Sequence, residues 1–151
     1  MAAITETVEI AKSPPEVFAY LEDLRRHDEW QTQIENVEVL TEGRTRVGTR
    51  ARDTRRVPGG RREVTYEITE HDPPRRVAFR GLDGPIRPAG VVTLEPLDDG
   101  RRSRVTLELD LVGHGLFGKL LAPIARRDAR KRVPEDQARL KERLESGAAA
   151  A

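Results

Sequence analysis

The feature that most constrains the fold is a long run of alternating apolar and polar residues, from Ile34 to Val112. The alternation is clearest in Ser103–Val112, where every second residue from 105 to 111 is valine or leucine. Side chains of a strand point alternately to the two faces of a sheet, so this pattern predicts strands with one buried face. Short turns separate the strands, and the glycine- and proline-rich segment Gly81–Gly90 is predicted to be a loop. Strands joined in this way form an antiparallel sheet.

Helical patterns flank this strand region. A first strand, Thr5–Ile10, is followed by Ser13-Pro14-Pro15-Glu16. This tetrapeptide predicts a helix N-terminus, with serine as the N-cap, proline in the first turn and glutamate at capping-box spacing. A second short helix is predicted over Arg25–Trp30. Apolar residues at helical spacing predict a long C-terminal helix from Leu116 to about Ser146.

Together these elements predict one α+β domain over residues 1–146, followed by a flexible tail at 147–151. The predicted sheet is antiparallel, has seven strands and curves around the long C-terminal helix, with two short helices between strands 1 and 2. The chain has no cysteine, which excludes disulfides, thiolate zinc sites and a cysteine nucleophile. It contains no apolar run of about 18 residues and no signal-peptide stretch, so a cytoplasmic protein without a membrane span is expected.

Several segments resemble a known family. The residues that carry the resemblance are Ile10 to Asp23 with Trp30 after it, Val47-Gly48-Thr49-Arg50, Leu94-Glu95-Pro96-Leu97 with Gly100, and Leu140 to Glu145. Their order and spacing are similar to those of the polyketide cyclase/dehydrase and START-related lipid-transfer superfamily, also called Bet v 1-like. One departure is Gly100-Arg101-Arg102-Ser103, where many members have a glycine-threonine turn before the last strand.

The resemblance implies a helix-grip fold with a hydrophobic cavity between the sheet and the C-terminal helix. Such cavities bind lipids, sterols, polyketides or other apolar molecules. Some members of the family catalyse ring closure or dehydration, and many only bind and carry, so the fold alone does not decide the function. We expect a small hydrophobic or aromatic ligand of polyketide- or lipid-like chemistry, no cofactor, and a monomer or homodimer.

Strand alternation and the apolar stripe of the C-terminal helix predict the walls of this cavity. The expected ligand-binding residues are Trp30, Val37, Val39, Tyr66, Ile68, Val77, Phe79, Val92, Leu94, Leu107, Leu109, Leu116, Leu120 and Ile124. For each of them an ordinary core position is the alternative. The middle of the helix, residues 126–132, is mostly charged, so it either extends into solvent or borders the mouth of the cavity.

A cyclase or dehydratase would need polar groups inside the cavity. Asp53 and Arg55 share one strand face; facing inward they would orient a carbonyl or carboxylate, and facing outward they would be solvated charges. Tyr66 is the candidate general acid, since a phenol beside arginines can protonate an enolate, and it is equally an ordinary wall residue. These three are the expected catalytic residues. The three histidines have no metal-ligand spacing, so no metal site is predicted.

Charge is distributed unevenly, although the net charge is only +1. Residues 1–42 carry ten acids against three bases, and residues 44–62 carry eight arginines against one aspartate. The second segment predicts either a surface for nucleic acid or another partner, or arginines at solvent-facing strand positions near the acidic segment. No aromatic residue that would stack on bases lies between Trp30 and Tyr66, so no nucleic acid is expected.

Overall fold

The described residues, 4–150 of the computed structural model, form one seven-stranded antiparallel sheet and two α-helices. The strands are β1 (Ile4–Ile10), β2 (Ile34–Val39), β3 (Arg50–Val57), β4 (Gly60–Asp72), β5 (Arg76–Gly81), β6 (Ile86–Leu97) and β7 (Arg102–Gly113). Their order across the sheet is β1-β7-β6-β5-β4-β3-β2. Strands β2 to β7 therefore form a meander, and β1 joins it by pairing with β7. The predicted fold class is confirmed.

The helices also lie where the sequence predicts them. Helix α1 spans Pro14–Glu22, a 3-10 helix spans Leu24–Glu29, and α2 spans Gly115–Glu145. Ser13 is the N-cap of α1: its Oγ accepts a hydrogen bond from the backbone N–H of Glu16 at 3.5 Å and donates one to the Glu16 carboxylate at 2.9 Å. The cap satisfies a donor of the first turn that has no partner within the helix.

Strand β6 begins earlier than the sequence predicts. The segment 81–90 is predicted to be a loop, but pairing with β7 already begins at Ile86. Gly90 lies under the ring of Phe79, where a Cβ atom would come within 2.6 Å of the ring. Glycine stands here because the ring approaches the backbone closely, as glycines inside strands often do. The loop prediction is therefore wrong for residues 86–90.

The core consists of two clusters on the inner face of the sheet. The first cluster lies under α1 and the C-terminal part of α2, and its most buried members include Ile10, Val17, Phe18, Leu94 and Leu140. The second lies under the N-terminal half of α2 and includes Ile4, Ile86, Leu109, Ala129 and Val133. Burial of these apolar side chains holds the helices against the sheet.

Beyond α2, residues 148–150 form a short 3-10 turn that packs on the domain. Ala149 is buried, and its carbonyl oxygen accepts a hydrogen bond from Nη1 of Arg26 at 2.7 Å. Contacts to the first 3-10 helix thus continue past the predicted domain boundary at residue 146. The flexibility of 147–151 stays a prediction, and Ala151 lies outside the described residues.

The outer face of β2, β3 and β4 carries pairs of opposite charge. Arg52 lies 3.0 Å from Glu38, and Arg50 lies 3.4 Å from Glu67. Arg61 pairs with Glu35 in the same way. Exposed pairs of this kind contribute little to stability, but they neutralise the surface. For Arg50, Arg52 and Arg61 they favour the interpretation that arginines of 44–62 fill solvent-facing strand positions near the acidic segment.

Candidate functional site

A cavity of about 240 Å³ lies between the inner face of the sheet and α2. Residues of both core clusters line it, and most of its wall is apolar. The predicted wall residues that line it are Trp30, Tyr66, Ile68, Val77, Phe79, Val92, Leu107, Leu109 and Ile124. All of these except Trp30 and Ile124 lie on strands, and they line the cavity because alternate residues of one strand face the same side of the sheet. Their contact with a ligand stays a prediction.

The charged middle of α2 borders this cavity. Asp128 and Arg132 line it together with Ile124 and Ala125. The sequence allowed this part of the helix either to extend into solvent or to border the cavity, and in the structure it borders the cavity.

Leu116 and Leu120 do not line the cavity. They are 90% and 72% exposed, because the first turns of α2 pack on the sheet through the opposite side of the helix. On that side Gly118 meets the backbone of Pro85 so closely that a Cβ atom would lie 2.2 Å from the Pro85 oxygen. Ala122, one turn further, is buried. The small residues therefore face inward, and the expectation for the two leucines is wrong.

Val37, Val39 and Leu94 do not line the cavity either. Leu94 is buried in the core cluster under α1, and Val39 packs against that cluster. Val37 lies on β2, the edge strand, and is only half-buried. Leu94 faces the part of the core that α1 covers, and β2 lies against the first 3-10 helix, so the expectation that these three residues form the cavity wall is wrong.

Asp53 and Arg55 face into the cavity from β3, which answers the question that the sequence left open. The Asp53 side chain is 3% exposed, and its Oδ2 accepts a hydrogen bond from Nη2 of Arg55 at 3.4 Å. Its Oδ1 is buried and has no hydrogen-bond partner among residues 4–150. Burial raises the pKa of Asp53, although the attraction of Arg55 and His27 opposes this rise. The carboxyl is therefore a proton acceptor and donor held away from water.

Tyr66 lies on the neighbouring strand β4 and also lines the cavity. Its ring packs edge-on against Phe79 with 5.9 Å between ring centroids. Its hydroxyl group is buried and finds no partner in the described part of the chain. Burial raises the pKa of Tyr66 above its ordinary value of 10.0, so the phenol stays neutral and serves as a hydrogen-bond donor.

Two polar residues of the first 3-10 helix region complete this end of the cavity, and the sequence did not identify them. Nη2 of Arg55 donates a hydrogen bond to Oε1 of Gln31. His27 also lines the cavity, with Nε2 at 2.7 Å from the carbonyl oxygen of Leu21. Burial lowers the pKa of His27, so the imidazole is neutral near pH 7.

Three charged residues on α2, Asp128, Arg132 and Asp136, also line the cavity. Nε of Arg132 is 3.6 Å from Oδ2 of Asp128, and Nη1 of Arg132 is 3.9 Å from Oδ2 of Asp136. Burial raises the pKa of Asp136 to about 6. The spacing of four residues places all three on one face of the helix. The sequence analysis allowed this charged stretch to border the cavity, and the four-residue spacing identifies which of its side chains do so.

Within residues 4–150 no helix is long and apolar enough to cross a membrane. The same residues contain no group of three or more histidine, aspartate and glutamate side chains placed to hold a metal ion.

Comparison with known proteins decides the family. Residues 1–145 match the family described as polyketide cyclase / dehydrase and lipid transport. The chain belongs to this family. The resemblance that its motifs carry is thereby confirmed.

Proteins similar to this chain match it over most of its length. An uncharacterized protein of Mycobacterium tuberculosis is 29% identical over 134 residues, which cover 83% of this chain and 87% of that one. The Zhui aromatase/cyclase of a Streptomyces species superposes with a TM-score of 0.81 at 20% identity and covers 94% of this chain and 92% of its own. A START superfamily protein of Mycobacterium smegmatis gives 0.79 at 15% identity, with 95% and 97% covered. At such identities the two superpositions show the fold alone.

The segments that carry the family resemblance stabilise the elements around the cavity. The Ser13 segment caps α1, and Thr49, just before β3, is 1% exposed. At the end of α2, the Glu145 carboxylate accepts a hydrogen bond from the backbone N–H of Ala11 at 2.8 Å. These contacts fix the two ends of the helix grip. Of the polar groups on the cavity wall, the motifs contain Trp30 but not Asp53, Arg55 or Tyr66.

Proposed function

We propose that this protein binds a small, largely apolar or aromatic molecule of polyketide- or lipid-like chemistry between the sheet and α2. The cavity of about 240 Å³ carries this proposal. A concave, mostly apolar wall offers packing contacts to an apolar molecule. A ligand whose apolar body makes those contacts binds the folded state and thereby stabilises it.

Buried polar atoms on the cavity wall support a ligand that also carries oxygen. Nε1 of Trp30, Oδ1 of Asp53 and the hydroxyl of Tyr66 are buried, and none has a hydrogen-bond partner among the described residues. A buried polar atom without a partner is costly, so each of them favours a ligand that supplies one. Hydroxyl and carbonyl groups on an aromatic or aliphatic body meet this need.

Native mass spectrometry of the protein purified from its own host tests the proposal. We expect a bound small molecule, and we expect Ala125→Phe to abolish its retention by filling the cavity that Ala125 lines. Ala138→Phe is the matched control, because Ala138 is exposed on the same helix and does not line the cavity. Equal retention by both variants, or the absence of any ligand together with no binding of apolar probes, would contradict the proposal.

A second candidate is a cyclase or dehydratase, which the convergence of Asp53, Arg55 and Tyr66 in one cavity favours. For ring closure, the Asp53 carboxylate would take a proton from the carbon between two carbonyl groups. Arg55 and the neutral Tyr66 phenol would donate hydrogen bonds to the enolate oxygen. The carbon would attack a second carbonyl of the same chain, and the protonated Asp53 would return the proton to the new alkoxide. Loss of water then gives the aromatic or unsaturated ring.

Turnover of a poly-β-ketone substrate mimic distinguishes the two candidates. An enzyme should release a cyclised product that is one water lighter, and Asp53→Asn should reduce the rate by at least about a hundredfold while the mimic still binds. If the wild type binds the mimic and releases it unchanged, the protein is a binder rather than a catalyst.

A further inference from the structure

Two arginines face each other across the inner side of the β3–β4 hairpin. Arg55 and Arg62 are direct partners in the antiparallel register, so both side chains lie on the same face of the sheet. Both line the cavity, at the end next to the turn around Pro58. Like charges directly opposite each other on neighbouring strands are unfavourable, so this position calls for a compensating negative charge.

The protein supplies that charge to Arg55 but not to Arg62. Arg55 has Asp53 and Gln31 as partners. A third cavity-lining arginine, Arg132, is near Asp128 and Asp136. Within residues 4–150, the side chain of Arg62 makes no hydrogen bond and no ion pair, although Arg62 is half-buried at the cavity.

We propose that the ligand carries one anionic group, such as a carboxylate, and that Arg62 binds this group at the turn end of the cavity while the apolar body lies deeper. This inference rests on the proposed function, since it names the class of molecule that the cavity holds. A guanidinium group pairs well with a carboxylate or sulfonate through two parallel N–H groups. The anion would also relieve the repulsion between Arg55 and Arg62.

A pair of fluorescent probes tests this assignment. Anilinonaphthalenesulfonate and phenylnaphthylamine share one apolar body and differ in the sulfonate group. We expect the wild type to bind the anionic probe about tenfold or more tightly than the neutral one, as a charge-assisted hydrogen bond allows. Arg62→Gln should remove this preference and leave the affinity for the neutral probe unchanged. The measurements are repeated in a Leu120→Glu background, because the exposed apolar surface of α2 is an alternative site for both probes.

Arg61→Gln is the matched control. It removes the same charge from the neighbouring position of the same strand, but Arg61 points outward and pairs with Glu35. The control should keep the preference for the anionic probe. Equal affinities of both probes for the wild type, or a preference that survives Arg62→Gln, would overturn the inference while the proposed binding function stands. Failure of both probes to bind would overturn the proposed function and this inference with it.

Discussion

Replacing Asp136 with asparagine should change how the stability of this protein depends on pH. Asp136 lies on the cavity side of α2 and is 6% exposed. Its nearest cation is Arg132, at 3.9 Å. Burial raises the pKa of Asp136 from 3.8 to about 6, against the opposing attraction of Arg132 and Arg55. Asparagine keeps the size and the acceptor and removes the titration.

The sign and size of the effect follow from proton binding. A carboxyl group with a higher pKa in the folded state binds its proton more tightly when folded. Its contribution to stability is therefore fully present below pH 3.8 and is lost as the pH rises through about 6. The rise in pKa corresponds to about 3 kcal/mol, of which about 2 kcal/mol is lost between about pH 4.5 and about pH 7.5.

Urea denaturation of the wild type and Asp136→Asn across this range measures the effect. The free energy of unfolding of the wild type, relative to the variant, should fall by about 2 kcal/mol as the pH rises. Asp53 and His27 titrate in both proteins, so their contributions cancel to the extent that they are independent of residue 136. A difference that instead grows in favour of the wild type would show that the attraction of Arg132 outweighs burial. A difference that does not change with pH would show that the carboxyl titrates alike in both states.

Further substitutions test the packing, each by its change in the free energy of unfolding. Gly90→Ala should cost about 1–3 kcal/mol, because the new Cβ would meet the Phe79 ring at 2.6 Å; an unchanged stability would show that the ring moves freely. Ser13→Ala should cost about 1 kcal/mol through loss of the N-cap of α1. Leu140→Ala removes a side chain with 0% exposure and should cost about 3 kcal/mol, whereas Leu120→Ala, at 72% exposure, should stay within about 0.5 kcal/mol. Similar costs at the two leucines would contradict the orientation of α2.

The sequence was sufficient for the fold because the local signals agree with one another. Alternation in 105–111, the cap at Ser13 and the short turns each predict an element that the structure contains. The sequence-based prediction was wrong about the start of β6 and about which side of the first turns of α2 faces inward, and both errors have the same cause. Gly90 and Gly118 are small because another group approaches them closely, and a close approach is a tertiary contact with no periodic signal.

Alternation predicted most strand residues of the cavity wall, but it does not show which inward positions lie outside the cavity, as at Leu94, and the contribution of α2 was harder to predict. On a strand, position alone decides which face a residue takes, so Ile68, Val77 and Leu107 follow from alternation. On a helix, the inward face depends on which side packs. The large apolar side chain of Leu116 suggested that it faces inward, but the helix packs through the side that carries Gly118. The same orientation of the helix about its axis places Arg132 and Asp136 at the cavity.

The opposed charges of 1–42 and 44–62 have two separate explanations, one for each face of the β3–β4 hairpin. On the outer face, Arg52 and Arg61 pair with Glu38 and Glu35 of the acidic segment. On the inner face, Arg55 and Arg62 cannot reach those acids, since the sheet lies between them. Of the two inward arginines, Arg55 has the Asp53 carboxylate beside it, whereas the Arg62 side chain has no partner among residues 4–150. The proposal of an anionic group on the ligand rests on this unpaired guanidinium at the cavity.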